Sequence, residues 1–155
     1  MTTANWDRKF MQLAEQLATW SKDRSRRVGC IVVGPNNEVR ATGYNGFPRG
    51  VDDSVEERYE RPAKYKWTEH SERNAIFNAA RVGVSLAGCR LYVTTLYPCV
   101  DCARARSFKS ESRRSSAYLQ DFSDPFWGED FRIAQTMFRE GGVLVVHPEE
   151  GLAVG

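Results

Sequence analysis

Two short stretches limit what this chain can fold into more than anything else in it: His70-Ser71-Glu72 and Pro98-Cys99-Val100-Asp101-Cys102. An imidazole, two thiols and a spare carboxylate offer three metal ligands and one acid–base group, but only if the fold brings the stretches together. Zinc takes nitrogen and thiolate ligands in a tetrahedron, and a catalytic site keeps three protein ligands and one open corner for water. His70, Cys99 and Cys102 supply three such ligands. A Cys-x-x-Cys at the start of a helix can direct both sulfurs at one ion, and the amide dipoles there favour the thiolate. Pro98 suits such a helix start, where its fixed φ and missing N–H are tolerated. Glu72 reads as unligated, placed to take a proton from the water and pass it on.

Other readings of the same residues exist. A Cys-x-x-Cys alone can be a redox pair, and a structural zinc site would add a fourth protein ligand. Cys30 and Cys89 each lie near an apolar run and read as small core residues, while His147 sits in the tail.

At 155 residues the chain has room for one domain with a real core. Its net charge of +2 is too small to argue for nucleic acid as a partner. No apolar run is long enough to span a bilayer, and the first residues lack the apolar centre of a signal peptide. The expectation is a cytoplasmic protein whose cysteines are reduced or metal-bound.

Periodicity orders the rest. Trp6, Phe10, Leu13, Ala14 and Leu17 recur at helical spacing, so a helix is expected over 5–20. Ser21-Lys22-Asp23-Arg24-Ser25-Arg26-Arg27 follows as a polar, basic loop, either a solvated turn or a phosphate cradle. Residues 28–33 read as a buried strand from their β-branched content, and 39–43 as its hairpin partner across the Gly34-Pro35-Asn36-Asn37 turn. Residues 43–50 form a shaped loop of glycines and proline, with Asn45 near its start. Residues 51–66 are charged and without period, a surface excursion with room for a short helix. A helix is expected over 70–81, a strand over 90–95, the Cys-x-x-Cys helix, a helix over 129–139 stopped by Gly141-Gly142, and a strand over 143–146. Strand, crossover helix and strand make an α/β protein. The tail after His147 is expected to fray.

With these residues assembled, the chain resembles the deoxycytidylate (dCMP) deaminases of the cytidine-deaminase-like superfamily. The matching pieces are Ser21-Lys22-Asp23, Val28-Gly29-Cys30-Ile31-Val32, Gly43-Tyr44-Asn45-Gly46-Phe47-Pro48-Arg49-Gly50, His70-Ser71-Glu72-Arg73-Asn74-Ala75-Ile76 and Pro98-Cys99-Val100-Asp101-Cys102. His-x-Glu with Pro-Cys-x-x-Cys marks the superfamily; the Gly-Tyr-Asn-Gly loop and the Glu-Arg-Asn-Ala-Ile run point to the dCMP branch. Ser71 stands where members of the family usually carry Ala.

The resemblance implies a three-layer αβα sandwich with a five-stranded mixed sheet. It implies Zn2+ on His70, Cys99 and Cys102, Glu72 as proton shuttle, and dCMP converted to dUMP and ammonia. It places Asn45 against the nucleotide and makes the basic loop, through Lys22 and Arg26, the phosphate neighbourhood. Members of the branch are commonly homo-oligomers. The same active-site kit would also suit another cytosine or purine nucleoside or nucleobase, or an idle domain that binds nucleotides without turnover.

One stretch departs. Where the family continues from the metal helix into an apolar strand, this chain has Ala105-Arg106-Ser107-Phe108-Lys109-Ser110-Glu111-Ser112-Arg113-Arg114-Ser115-Ser116. That run lacks a period of two, and burying its charges unpaired would cost several kcal/mol each. The expectation is a displaced or disordered segment and lowered stability, not a central strand. With suitable codons, a one-base shift turns residues 108–116 into Gln-Val-Gly-Ile-Lys-Glu-Val-Val after an apolar residue. We hypothesise a local frameshift, either in the gene or in its recorded sequence.

Overall fold

The computed structural model describes residues 3–94, 98–106, 113–116 and 123–146. The elements run α1 (Thr3–Ala18), β1 (Gly29–Val33), β2 (Val39–Tyr44), α2 (Lys64–Trp67), α3 (Ser71–Val82), β3 (Arg90–Val93), α4 (Val100–Arg106), β4 (Arg113–Ser116), α5 (Gly128–Glu140) and β5 (Val143–Val146). A 3-10 turn at Glu56–Tyr59 lies within the charged excursion, just before α2.

Strands hydrogen-bond in the order β2-β1-β3-β4-β5. β1 is antiparallel to both β2 and β3, so α3 connects two parallel strands across it. Beyond β3 the pairing is parallel, with α4 and α5 as the crossovers. This is an α/β arrangement with helices against both faces of the sheet.

β1 alternates its side chains between those faces. Cys30 and Val32 join Ala41, Leu91 and Val93 under Ala75 and Ala79 of α3. Ile31 and Val33 join Tyr92 under Phe10, Met11, Ala14 and Leu17 of α1. The α1 stripe differs from the expected one at one position: Leu13 is exposed and Met11 takes its place inside. A third cluster joins Ala103 of α4 to Phe131, Ala134 and Phe138 of α5 and Val143 of β5.

Gly43 is the contact that sets the height of α3. A Cβ there would lie 2.3 Å from the Ser71 carbonyl oxygen and 2.5 Å from the Ala75 nitrogen. Only a hydrogen fits, so the first turn of α3 lies directly on β2. The other end of α3 closes on Gly83 at φ 72°, the left-handed conformation that glycine adopts without penalty.

The expectation for the polar run is corrected in part. The backbone of Arg113–Ser116 forms β4, between β3 and β5, with Ser115 in register with Leu91 and Val145. Ladder hydrogen bonds use N–H and C=O groups that any residue except proline supplies. Two parallel neighbours, each tied to a crossover helix, leave one slot, and the backbone occupies it whatever its side chains. Residues 107–112 and the tail after Val146 lie outside the described residues.

Candidate active site

Both chemical motifs sit at helix starts. His70 precedes α3 in an extended conformation, φ −75° and ψ 150°. Glu72 falls in the first turn of α3, where a carboxylate is favoured by the helix dipole. Cys99 immediately precedes α4 and Cys102 lies in its first turn. The Val100 N–H at that helix start donates to Asp130 Oδ2 of α5 at 2.9 Å. Arg73 joins the two starts, pairing with Glu69 at 2.5 Å and with Asp101 at 3.4 Å.

The three candidate ligands converge. His70 Nδ1 lies 3.4 Å from Cys99 Sγ and 3.5 Å from Cys102 Sγ, and all three ligand atoms lie within 4.8 Å of one another. A nitrogen at about 2.05 Å and a sulfur at about 2.3 Å from one tetrahedral zinc are separated by about 3.5 Å. The spacing and the donor set therefore both fit zinc.

Hydrogen bonds among the three divide their proton affinities. Hydrogen bonding from Cys102, and then from His70, pulls the Cys99 thiol down to about 4 against the effect of burial. The same hydrogen bond between the two sulfurs, with burial, pushes Cys102 up. The bond to Cys99 raises His70 to about 9 despite its burial. Cys99 is thus the ligand already biased toward its metal-binding form, while His70 and Cys102 must give up protons to hold an ion.

Glu72 is buried, and its Oε2 accepts a 2.9 Å hydrogen bond from the fully buried Ser71 hydroxyl. His70, Ser71, Glu72 and Cys99 line one cavity of about 330 Å³, the size of a small-molecule site. Trp127 stands edge-on to His70 with ring centroids 6.3 Å apart, and Phe126 stacks on Tyr65 at 5.2 Å, giving the cavity an aromatic wall. Asp124 shapes that wall by accepting from the N–H groups of Phe126 and Trp127, each at 2.8 Å.

The basic loop divides. Arg26 lines the cavity and makes no ion pair among the described residues. Lys22 does not line it: its ammonium is exposed and bound to Asp53 at 2.7 Å. Asn45 lines the cavity, but its amide is already engaged on both sides. Oδ1 accepts from Val28 N–H at 2.8 Å and Nδ2 donates to the Arg26 carbonyl at 2.9 Å. Asn45 thus stitches the loop to the end of β2.

Several lining residues gave no signal in the sequence. Tyr65, Phe126 and Trp127 lie in stretches without period. Lys64 belongs to a charged run that reads as solvated, yet it is buried. Thr68 contributes a buried Oγ1 with no hydrogen-bond partner among the described residues.

Comparison with known proteins agrees with this geometry. The family described as "Cytidine and deoxycytidylate deaminase zinc-binding region" matches residues 4–114. An uncharacterized deaminase of the luxG 3' region of Aliivibrio fischeri is 38% identical over 145 residues, 92% of each chain. A probable deoxycytidylate deaminase of Caenorhabditis elegans is 38% identical over 152 residues, covering 94% of this chain and 73% of that one. Among solved structures, the dCMP deaminase of cyanophage S-TIM5, in complex with dCMP and dUMP, superposes with a TM-score of 0.68 at 25% identity. That match covers 95% of this chain and 98% of the phage protein. From the paired helix starts, the buried carboxylate and these relatives together, the chain belongs to the cytidine and deoxycytidylate deaminase family.

Proposed function

We propose that this chain is a zinc-dependent hydrolase that converts dCMP and water into dUMP and ammonia. The observation that carries the reading is the convergence of His70, Cys99 and Cys102 beside Glu72 on the wall of a cavity that also exposes Arg26. The relatives named deoxycytidylate deaminase support it, as does the phage structure in complex with dCMP and dUMP.

His70 Nδ1 and the sulfurs of Cys99 and Cys102 would hold the ion. When bound, zinc makes water a competent nucleophile at neutral pH. The water oxygen bonds to C4 of the cytosine ring and the C4–N4 bond breaks. Glu72 takes the two protons of the water in turn and passes one to ring N3 and the other to the departing amine. Ser71 holds the Glu72 carboxylate in place, and the Tyr65–Phe126–Trp127 wall offers rings against which the flat base can pack. Arg26, on the loop stitched by Asn45, faces the 5'-phosphate. Lys22 does not line the cavity, and its ammonium is paired with Asp53.

The same reading makes the protein one deaminase-type domain, a three-layer αβα sandwich whose paired strands form a five-stranded mixed sheet. It is also cytoplasmic and homo-oligomeric. No helix among the described residues is long and apolar enough to cross a membrane, and none of the four cysteines is in a disulfide.

The test is ammonia release from the zinc-loaded protein with dCMP, CMP, deoxycytidine, cytosine and adenosine as substrates. The expected order has dCMP first. Faster release from a base or nucleoside than from dCMP would overturn the substrate. A protein that binds dCMP and releases no ammonia from any of them would be an idle binding domain.

A further inference from the structure

Resting on the reading of dCMP as substrate, we infer that Lys64 is a positioning residue for the phosphate end of the site. It acts through Asp23 on the loop that carries Arg26. Lys64 lies in α2, at the end of the charged excursion, 41 residues from Asp23 in sequence. Its Nζ donates to Asp23 Oδ1 at 3.1 Å, to Asp23 Oδ2 at 2.8 Å and to Ser25 Oγ at 2.6 Å. An ammonium has three N–H donors, and all three are engaged. None is left for a substrate, so Lys64 acts through its neighbours.

What it holds is the shape of residues 23–26. Asp23 Oδ1 also accepts from the backbone N–H of Ser25 at 2.9 Å and of Arg26 at 3.0 Å. One carboxylate thus fixes a tight turn that ends at Arg26. Asn45 then takes the Arg26 carbonyl, and Ser21 Oγ donates to the Asn45 carbonyl at 2.7 Å. The loop is therefore clamped from the α2 side by Lys64 and from the β2 side by Asn45, with Arg26 among the residues that line the cavity.

Other ties between excursion and loop are weaker. Lys22–Asp53 and Arg24–Glu56 are exposed pairs, a type that contributes little. The Lys64–Asp23 pair is enclosed, with side-chain exposures of 10% and 4%. Removing one partner of such a pair leaves the other charge buried without compensation.

The test compares kcat and KM for dCMP and deoxycytidine, which differ only by the phosphate. The proteins are zinc-loaded wild type, Lys64→Met and the double variant Asp23→Asn/Lys64→Met. The double variant removes both buried charges and so guards against simple misfolding; zinc content and melting temperature are measured on all three. The expected result is a fall of ten-fold or more in kcat/KM for dCMP, carried by KM, in both variants. Deoxycytidine should change by at most about three-fold. Folded, zinc-replete variants that keep the wild-type preference for dCMP overturn the inference and leave the substrate reading standing. An equal fall for both substrates also overturns it, since it marks a general structural role. A wild-type protein indifferent to the phosphate overturns the substrate reading first, and this inference with it.

Discussion

The Ser71 hydroxyl and the Glu72 carboxylate, neighbours in sequence, are joined by a 2.9 Å hydrogen bond inside the first turn of α3. A bond to a charged acceptor is among the stronger kind, and this one restrains the group that moves protons. Ser71→Ala should lower kcat by about 3- to 10-fold with KM and zinc content unchanged, since one restraint of several is lost. Glu72→Gln removes the proton carrier and should cost about 100- to 10,000-fold in kcat while keeping the metal. Steady-state kinetics with metal analysis checks both. A Glu72→Gln protein with wild-type turnover would exclude Glu72 from the chemistry.

Metal removal should be reversible and visible in stability. A ligand that binds only the folded chain stabilises it by about 2.7 kcal/mol at one hundred times its dissociation constant. Dialysis against a chelator should lower the melting temperature and abolish ammonia release, and one equivalent of zinc should restore both. His70→Ala should not be restored by the same equivalent.

Thr68 carries a buried Oγ1 with no partner among the described residues, on the cavity wall. Its isostere tests what it is for. Thr68→Val should leave the melting temperature unchanged or slightly raised, because a buried unsatisfied polar atom is costly. A rise in KM alongside that neutral stability would mark the hydroxyl as a substrate contact; an unchanged KM would make it a bystander.

Acid sensitivity should trace to Asp23. Burial works against its ionisation, yet the Lys64 ammonium and the N–H groups of Arg26 and Ser25 outweigh burial and hold the carboxyl below its ordinary 3.8. A carboxyl lowered by folding contributes stability that is fully present above its unfolded value and lost as pH falls through its folded one. Between pH 5 and pH 3 the wild-type melting temperature should therefore fall more steeply than that of Asp23→Asn/Lys64→Met. Parallel curves would show that the pair contributes nothing in acid.

The polar run Arg113–Ser116 stands where most α/β proteins carry a near-continuous apolar strand. Sequencing the coding DNA tests the frameshift: a continuous frame spelling the run with other codons would end that hypothesis.

His70, Glu72, Cys99 and Cys102 could be picked out in the sequence because metal and proton chemistry demand fixed residue types at fixed spacing. The buried strand β1 and the stripe of α1 were legible for a similar reason, since burial asks for β-branched residues in the one and a helical period in the other. Lys22 and Arg26 were not separable by sequence. Both are cations on one loop, and only a partner distant in the chain, Asp53, turns Lys22 outward. Lys64 was invisible because a lysine among charges reads as solvated until Asp23 is placed beside it. β4 was misread because its slot is set by its neighbours in the sheet and not by its own side chains.

Gly43 has a consequence for anyone wishing to redirect this enzyme. With a lone hydrogen separating sheet from helix, the spacing that aims His70 and Glu72 has no slack for redesign at that position. Libraries seeking new substrates are better spent on the wall around Tyr65, Phe126 and Trp127, where rings can be traded without moving the floor beneath the reactive groups.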